Sequence, residues 1–370
     1  MEDLFRLAES DTEDVKNVVD EAAEDDAVPQ TRFEITSYGA DFDVSGLVNR
    51  LRKGDIFIPP FQRGYVWNIK EASRFIESLL LGLPVPGVFL ARDPKKNNKL
   101  LVIDGQQRLK TLLFFFDGVF NPKLEEKLQR PFRLSKVGKV FDGVSFKKLH
   151  ESDRIQLENY IIHATIIRQE SPPNDDTAIF HVFERINTAG TRLAAQEIRV
   201  AVYHGELLAL VEDLNEEKPW RDIFGKKSAR LKDRELILRF LALHRESDNY
   251  ERPFSEFLTK FVARHRDPDQ AFLDSCRERF TAAITAVSKA IGDRAFRPEG
   301  TLNAAVFDSV MIGLSRRLEK GRANAKAVKT AYDALVKDAD YQKVVSRATA
   351  DQVTVETRLK LATNAFAAVT

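Results

Sequence analysis

The sequence predicts a mixed α/β N-terminal domain followed by an all-α C-terminal domain. Three observations carry this. Between residues 30 and 120, short apolar runs alternate with stretches of helical period, and Gly and Pro punctuate them. From Trp220 onward the strand-like runs stop, and apolar residues recur at helical spacing around 236–243, 272–291, 302–318 and 328–336. A chain of 370 residues also suits two domains. The expected divisions are an acidic, disordered tail at 1–30, an α/β domain at 31–205 and a helical domain at 206–370.

Residues 33–38 alternate as a strand. Asp43 is placed to cap a helix carrying Val44, Leu47, Val48 and Leu51, and Gly54 ends it. A short strand, 56–58, stops at Pro59 and Pro60, which cannot donate to a ladder. Asn68, with Glu71 three residues on, reads as a capping box for a helix burying Ala72, Phe75, Ile76, Leu79 and Leu80. Strands are expected at 88–90 and 100–103. Asp104-Gly105-Gln106-Gln107-Arg108 then opens a helix with Leu109, Leu112, Leu113 and Phe116 inward. Residues 160–168 read as a strand and 177–186 as a helix. A further helix is expected from Ala194 toward Leu214.

Composition narrows the function. One cysteine, Cys276, rules out intramolecular disulfides and fits a reducing compartment. No apolar run approaches the ~20 residues of a membrane helix, so a soluble, cytoplasmic protein without membrane partners is expected. Net charge is +1, yet residues 1–28 hold eleven acids against Arg6 and Lys16. The remainder is therefore basic, about +10. No complete P-loop, His-Glu-x-x-His pair, dinucleotide fingerprint or Gly-x-Ser-x-Gly elbow is present.

The Asp104–Arg108 string lies where a buried strand turns into a helix. The first amides of a helix have no intrahelical partner and carry the positive end of the dipole, which favours an anion. Gly105 admits close backbone approach. Arg108 offers a planar fork of donors to phosphate oxygens. Gln106 and Gln107 each donate and accept, which suits a sugar hydroxyl, a base edge or an attacking water. Asp104 suits a metal ion on the phosphates or a hydrogen bond from a ribose. An ordinary strand–helix turn is the competing account. A second cluster, Pro59-Pro60-Phe61-Gln62-Arg63 with Tyr65 and Trp67, combines stiff backbone, aromatics and a guanidinium, which suits stacking plus phosphate contact or a hydrophobic plug. A third, Phe183 to Leu193 followed by Glu197, contains Arg185, Asn187, Thr191 and Arg192 around a helix end.

The order and spacing of these three motifs resemble the N-terminal domain of the GmrSD-type restriction proteins, a ParB/sulfiredoxin-like family, over about residues 33–205. The resemblance implies a ParB-like fold that binds and hydrolyses nucleoside triphosphates within anti-phage defence. It implies Mg²⁺ as cofactor, with Asp104 as its ligand. Asp104, Gln106, Gln107 and Arg108 would be the catalytic residues. Gly105, Arg185 and Asn187 would complete the nucleotide site, and Gln62 and Arg63 would complete it or touch DNA. Larger members carry a His-Asn-His-type nuclease half, and no such motif follows Trp220. This chain therefore resembles a stand-alone sensor half, with a separately encoded nuclease as its expected partner. A nucleotide-switched DNA-binding module and an immunity or control partner of a nuclease toxin are the alternatives.

DNA is the other expected partner. Residues 221–245 hold eight Lys/Arg against three acids. Arg221, Lys226, Lys227 and Arg230 are the candidate contacts. Affinity for DNA should then fall steeply with salt. A solvated helical face is the plainer account.

Overall fold

The computed structural model describes residues 18–19, 33–58, 65–93, 99–122, 130–171, 177–186 and 193–369. By its internal contacts the chain forms two compact units, one spanning 32–193 and the other 194–370 together with 1–31. The acidic N-terminal segment lies outside the described residues except for the two-residue strand Val18–Val19, which pairs in parallel with Leu302–Asn303.

The first unit is built on a mixed five-stranded sheet. Its strands are β1 (Glu34–Asp43), β2 (Ile56–Phe57), β3 (Val88–Asp93), β4 (Lys99–Asp104) and, after a small β5–β6 pair (Val119–Phe120 and Arg130–Pro131), β7 (Ile161–Ser171). Their order is β1-β7-β3-β4-β2. β1 runs antiparallel to β7, β7 parallel to β3, β3 antiparallel to β4, and β4 parallel to β2. The predicted strands and helices of this unit are present. The strand expected at 56–58 is the shorter Ile56–Phe57, while β1, β3, β4 and β7 run past their apolar runs. The reason is that ladder pairing continues through polar residues when a partner strand is available.

Helix α1 (Val44–Lys53) starts at Asp43, whose side chain accepts from Gly46 N at 3.0 Å, and ends at Gly54 with φ 72°. Helix α2 (Ile69–Leu80) has the capping box read from Asn68 and Glu71, and buries the five expected apolar residues. Helix α3 (Gln106–Asp117) follows β4, α4 (Glu151–Asn159) precedes β7, and α5 (Thr177–Ile186) follows it. Leu47, Val48, Ile76, Leu79, Leu109, Leu112, Phe115 and Leu157 of α1 to α4 share one core with Val88, Leu90, Leu100, Val102, Ile162, Ala164 and Ile166 on one face of the sheet. The alternate residues Ala91, Leu101, Ile103 and Ile167 are buried on the other face, together with Ile179, Phe180 and Phe183 of α5. In α3, Phe114 and Phe115 are buried where Leu113 and Phe116 were expected, and the latter two are only partly covered. The rings of Phe120 and Phe132 meet that flank and draw the contact round the helix.

The second unit is helical. Its elements are α6 (Ala195–Val202), α7 (Glu206–Asn215), α8 (Lys218–Phe224), α9 (Lys232–Glu246), α10 (Phe254–Arg264), α11 (Gln270–Ala290), α12 (Ala304–Leu318), α13 (Ala325–Leu335), α14 (Ala339–Ser346) and α15 (Gln352–Ala367). The single helix expected from Ala194 toward Leu214 is two, broken at 203–205. Arg266 is the cause: its Nε donates to His204 O, and its carbonyl accepts from Leu207 N, so backbone groups are satisfied across the gap rather than along a helix. α12 is central, with Ala304 to Ser315 buried on every face. Inside, Asp308 is fully buried between two guanidiniums. Arg239 donates to both its oxygens, at 3.1 and 2.6 Å, and Arg358 Nη2 donates at 3.1 Å. Arg239 also lies 3.9 Å from the Phe254 ring centroid. Arg239, inside the helical stretch 236–243, is thus interior rather than on a solvated face.

Candidate functional site

The parallel pairing of β2 with β4 (Ile56 with Leu100, Phe57 with Leu101) fixes where the motifs meet. Parallel strands end at the same side of a sheet, so the chain leaves β2 where β4 delivers Asp104. β4 is also bulged there. Phe89 of β3 pairs with Asp104 while Leu90 pairs with Val102, which leaves Ile103 as an extra residue. Strict alternation would turn Asp104 toward the core face with Leu100 and Val102. The bulge interrupts it and re-aims Asp104 onto the face it shares with Phe89.

Gly105 follows with φ 96°, in the region that glycine alone enters freely. A Cβ there would stand 2.5 Å from Val88 Cγ1. Both backbone angle and packing therefore demand glycine. Gly105 also caps α3, so no cap side chain covers the first turn of that helix. Arg108, one turn in, pairs its Nη2 with Asp104 Oδ2 at 2.5 Å. The guanidinium is 14% exposed and the carboxylate 38%, so the pair is partly buried, with its carboxylate the more open to solvent.

Gln107 does something the sequence did not announce. Its Oε1 accepts from Val66 N at 3.1 Å and Trp67 N at 3.4 Å. Its carbonyl accepts from Thr111 Oγ1 at 2.7 Å, and the Thr111 hydroxyl meets Tyr65 OH at 2.7 Å. The Tyr65 ring packs edge-on against Phe114 and Phe120, and Trp67 against Phe75. The 65–67 segment is thereby clamped to α3, as the plug account of its aromatics expected. Gln62 and Arg63, with Pro59 to Gly64, lie outside the described residues, but both flanks of that segment are fixed beside the Asp104 turn. Gln106 is partly buried in the first turn of α3. Arg185 is exposed near the end of α5. That helix packs against β7 and β4. Asn187, Thr191 and Arg192 lie outside the described residues. Glu197 belongs to the helical unit, where it accepts from Ala194 N at 2.6 Å and pairs with Arg230 at 3.3 Å.

Burial pushes the Tyr65 hydroxyl up to about 12. The unfolded chain loses this proton near pH 10 and the folded unit only near 12, so the contribution present below pH 10 is lost between the two. Tyr65→Phe should flatten the fall in stability of this unit between pH 10 and 12. The check is hydrogen exchange of peptides from 65–117 over that range.

Among the described residues no group of three or more His, Cys, Asp and Glu is arranged to hold a metal ion. Mg²⁺ is ordinarily held by one or two carboxylates plus phosphate oxygens, so Asp104 suits it only with a phosphate ligand present. In the helical unit, Arg221 pairs with the fully buried Asp233 at 3.1 Å and lies against the rings of Trp220 and Phe224. Lys227 pairs with Glu216, and Arg230 with Glu197. Lys226 is exposed. Much of the positive charge read along 221–245 is thus engaged by carboxylates, including Arg234 with Glu212 and Arg239 with Asp308. Among the described residues no helix is long and apolar enough to cross a membrane.

Residues 44–204 match the family model described as the GmrSD restriction endonuclease, N-terminal domain. The stretch from α1 through α6 is a domain of that family, as the three motifs implied. The match covers under half of the chain and suggests a restriction-type, defence-related protein. No curated protein matches it.

Proposed function

We propose that the turn from Asp104 to Arg108 binds the phosphates of a nucleoside triphosphate, and that the chain is a nucleotide-hydrolysing regulatory component of a restriction-type system acting on DNA. The observation that carries this reading is the Arg108 guanidinium at the glycine-capped N-terminus of α3, held by a carboxylate that a phosphate can replace. Asp104 fixes the fork in place. With phosphate oxygens on Arg108, Asp104 would be the residue to hold a divalent cation. The cation, Mg²⁺, would neutralise phosphate charge. The chain's own contribution is positioning and charge stabilisation by Arg108 and the first turn of α3. Gln106 suits the orientation of an attacking water. Gln62, Arg63, Arg185 and Asn187 are proposed to complete the site, and the clamp made by Gln107 supports it by holding the preceding loop. A separately encoded nuclease is the proposed effector.

The experiment is purified chain with each nucleoside triphosphate and Mg²⁺, read by phosphate release. Multiple turnover by wild type, lost in Arg108→Ala, is the expected result. Stoichiometric binding without turnover would favour the nucleotide-switched DNA-binding reading. With most lysines and arginines of 221–245 engaged by carboxylates, Lys226 and Arg245 are exposed candidates for a phosphate contact in that stretch, which favours the nucleotide reading.

A further inference from the structure

β-Sheet register continues the Asp104 site across the sheet. Asp104 of β4 pairs with Phe89 of β3, Phe89 with Thr165 of β7, and Thr165 with Gly39 of β1. These four residues form one row, on the face opposite the main core. Phe89 and Thr165 are only partly buried, and Gly39 is exposed. Two residues back along β7, on the same face, stands His163. Its Nδ1 lies 2.8 Å from Oδ1 of Asp41, the residue paired with it on β1. Both side chains are well exposed, 62% and 68%. The imidazole lies over Gly39, where a Cβ would meet its Cε1 at 2.7 Å. The ring is thus laid along the sheet, beside a row that leads to Asp104.

We infer that His163, oriented by Asp41, is a specificity residue that contacts the nucleoside end of the bound triphosphate. This rests on the nucleotide reading of the Asp104 turn. Strand spacing puts His163 roughly 12 Å from Asp104. That is too far for any role at the phosphates, and it suits the ribose or base of a nucleotide laid across Phe89 and Thr165. Phe89 gives an aromatic surface on the way. Asp41 accepts from Nδ1–H, which sets the tautomer and leaves Nε2 as an acceptor. The matching ligand group is a hydroxyl or amino donor, either a ribose hydroxyl or an exocyclic amine.

The test compares three ligands on the full chain by calorimetry: a ribonucleoside triphosphate, its 2′-deoxy form and inorganic triphosphate, each with Mg²⁺. H163A is expected to weaken the nucleotide roughly three- to tenfold and to leave inorganic triphosphate unchanged. D41N is expected to weaken the nucleotide in the same direction. R108A is expected to weaken all three. A smaller effect of H163A on the deoxy form assigns the contact to the ribose hydroxyl, and an equal effect assigns it to the base. If H163A binds the nucleotide as wild type does, or loses inorganic triphosphate in equal proportion, the inference is wrong while the phosphate site stands. If wild type binds none of the three, the phosphate site itself is wrong and the inference falls with it. H163Q and a thermal melt guard against a folding defect.

Discussion

Gly105→Ala is expected to destabilise the α/β unit by about 3 kcal/mol. The figure combines two costs of similar size. A non-glycine residue forced into a left-handed conformation costs roughly 1–2 kcal/mol. Overpacking in a filled interior costs about 1–3 kcal/mol, and here the new methyl would stand 2.5 Å from Val88 Cγ1. The Val88 side chain is fully enclosed and has no open direction in which to retreat. Hydrogen exchange of peptides from β3, β4 and α3 measures this locally and leaves the helical unit as an internal control. Combined with Val88→Ala, which vacates the clashing methyls, Gly105→Ala should cost less than the sum of the two single changes, because residues in contact couple. An additive pair would mean that the turn is strained by its backbone angle alone.

Asp308→Ala should be still more damaging, about 3–5 kcal/mol, in the helical unit. Removing one partner of a buried ion pair leaves an uncompensated charge in low dielectric, and here Arg239 and Arg358 would both be stranded, at 2% and 0% exposure. Burial already presses the Arg358 pKa downward against the pull of Asp308. Urea unfolding followed through Trp220 reports on this unit once Trp67 is replaced by Phe, since these are the two tryptophans of the chain. Asp308→Asn keeps an acceptor toward the arginines and should fall between wild type and Asp308→Ala. Equal stability of all three would show that the triad contributes nothing net.

Local grammar was legible in the sequence where the signal was itself local. Asp43, Asn68 with Glu71, and Gly54 act through neighbours within four residues, so the starts of α1 and α2 and the end of α1 follow from spacing. The break between α6 and α7 was not legible, because it depends on Arg266, some sixty residues away. Nor was the interior position of Arg239, whose carboxylate partner Asp308 stands on another helix. At the site, the string 104–108 announced itself by two glutamines and an arginine at a strand–helix turn, though Gln107 proves to hold the preceding loop. The bulge that re-aims Asp104, the contact that makes Gly105 obligatory, and the capture of residues 66 and 67 by Gln107 are properties of strand register and helix placement. The same holds for the His163–Asp41 pair, which joins residues 122 apart in the chain.

The central claim is that Arg108 is the counter-charge of a bound polyphosphate. Calorimetric titration of a Mg²⁺–nucleoside triphosphate into wild type, Arg108→Ala and Arg108→Lys tests it most directly. A saturable single site in wild type, weakened about tenfold or more in Arg108→Ala, is the expected result, since charge-assisted hydrogen bonds are the strong ones. Arg108→Lys should recover only part of that affinity, because it keeps the charge and loses the fork. Unchanged affinity in Arg108→Ala, with the fold intact, would contradict the account.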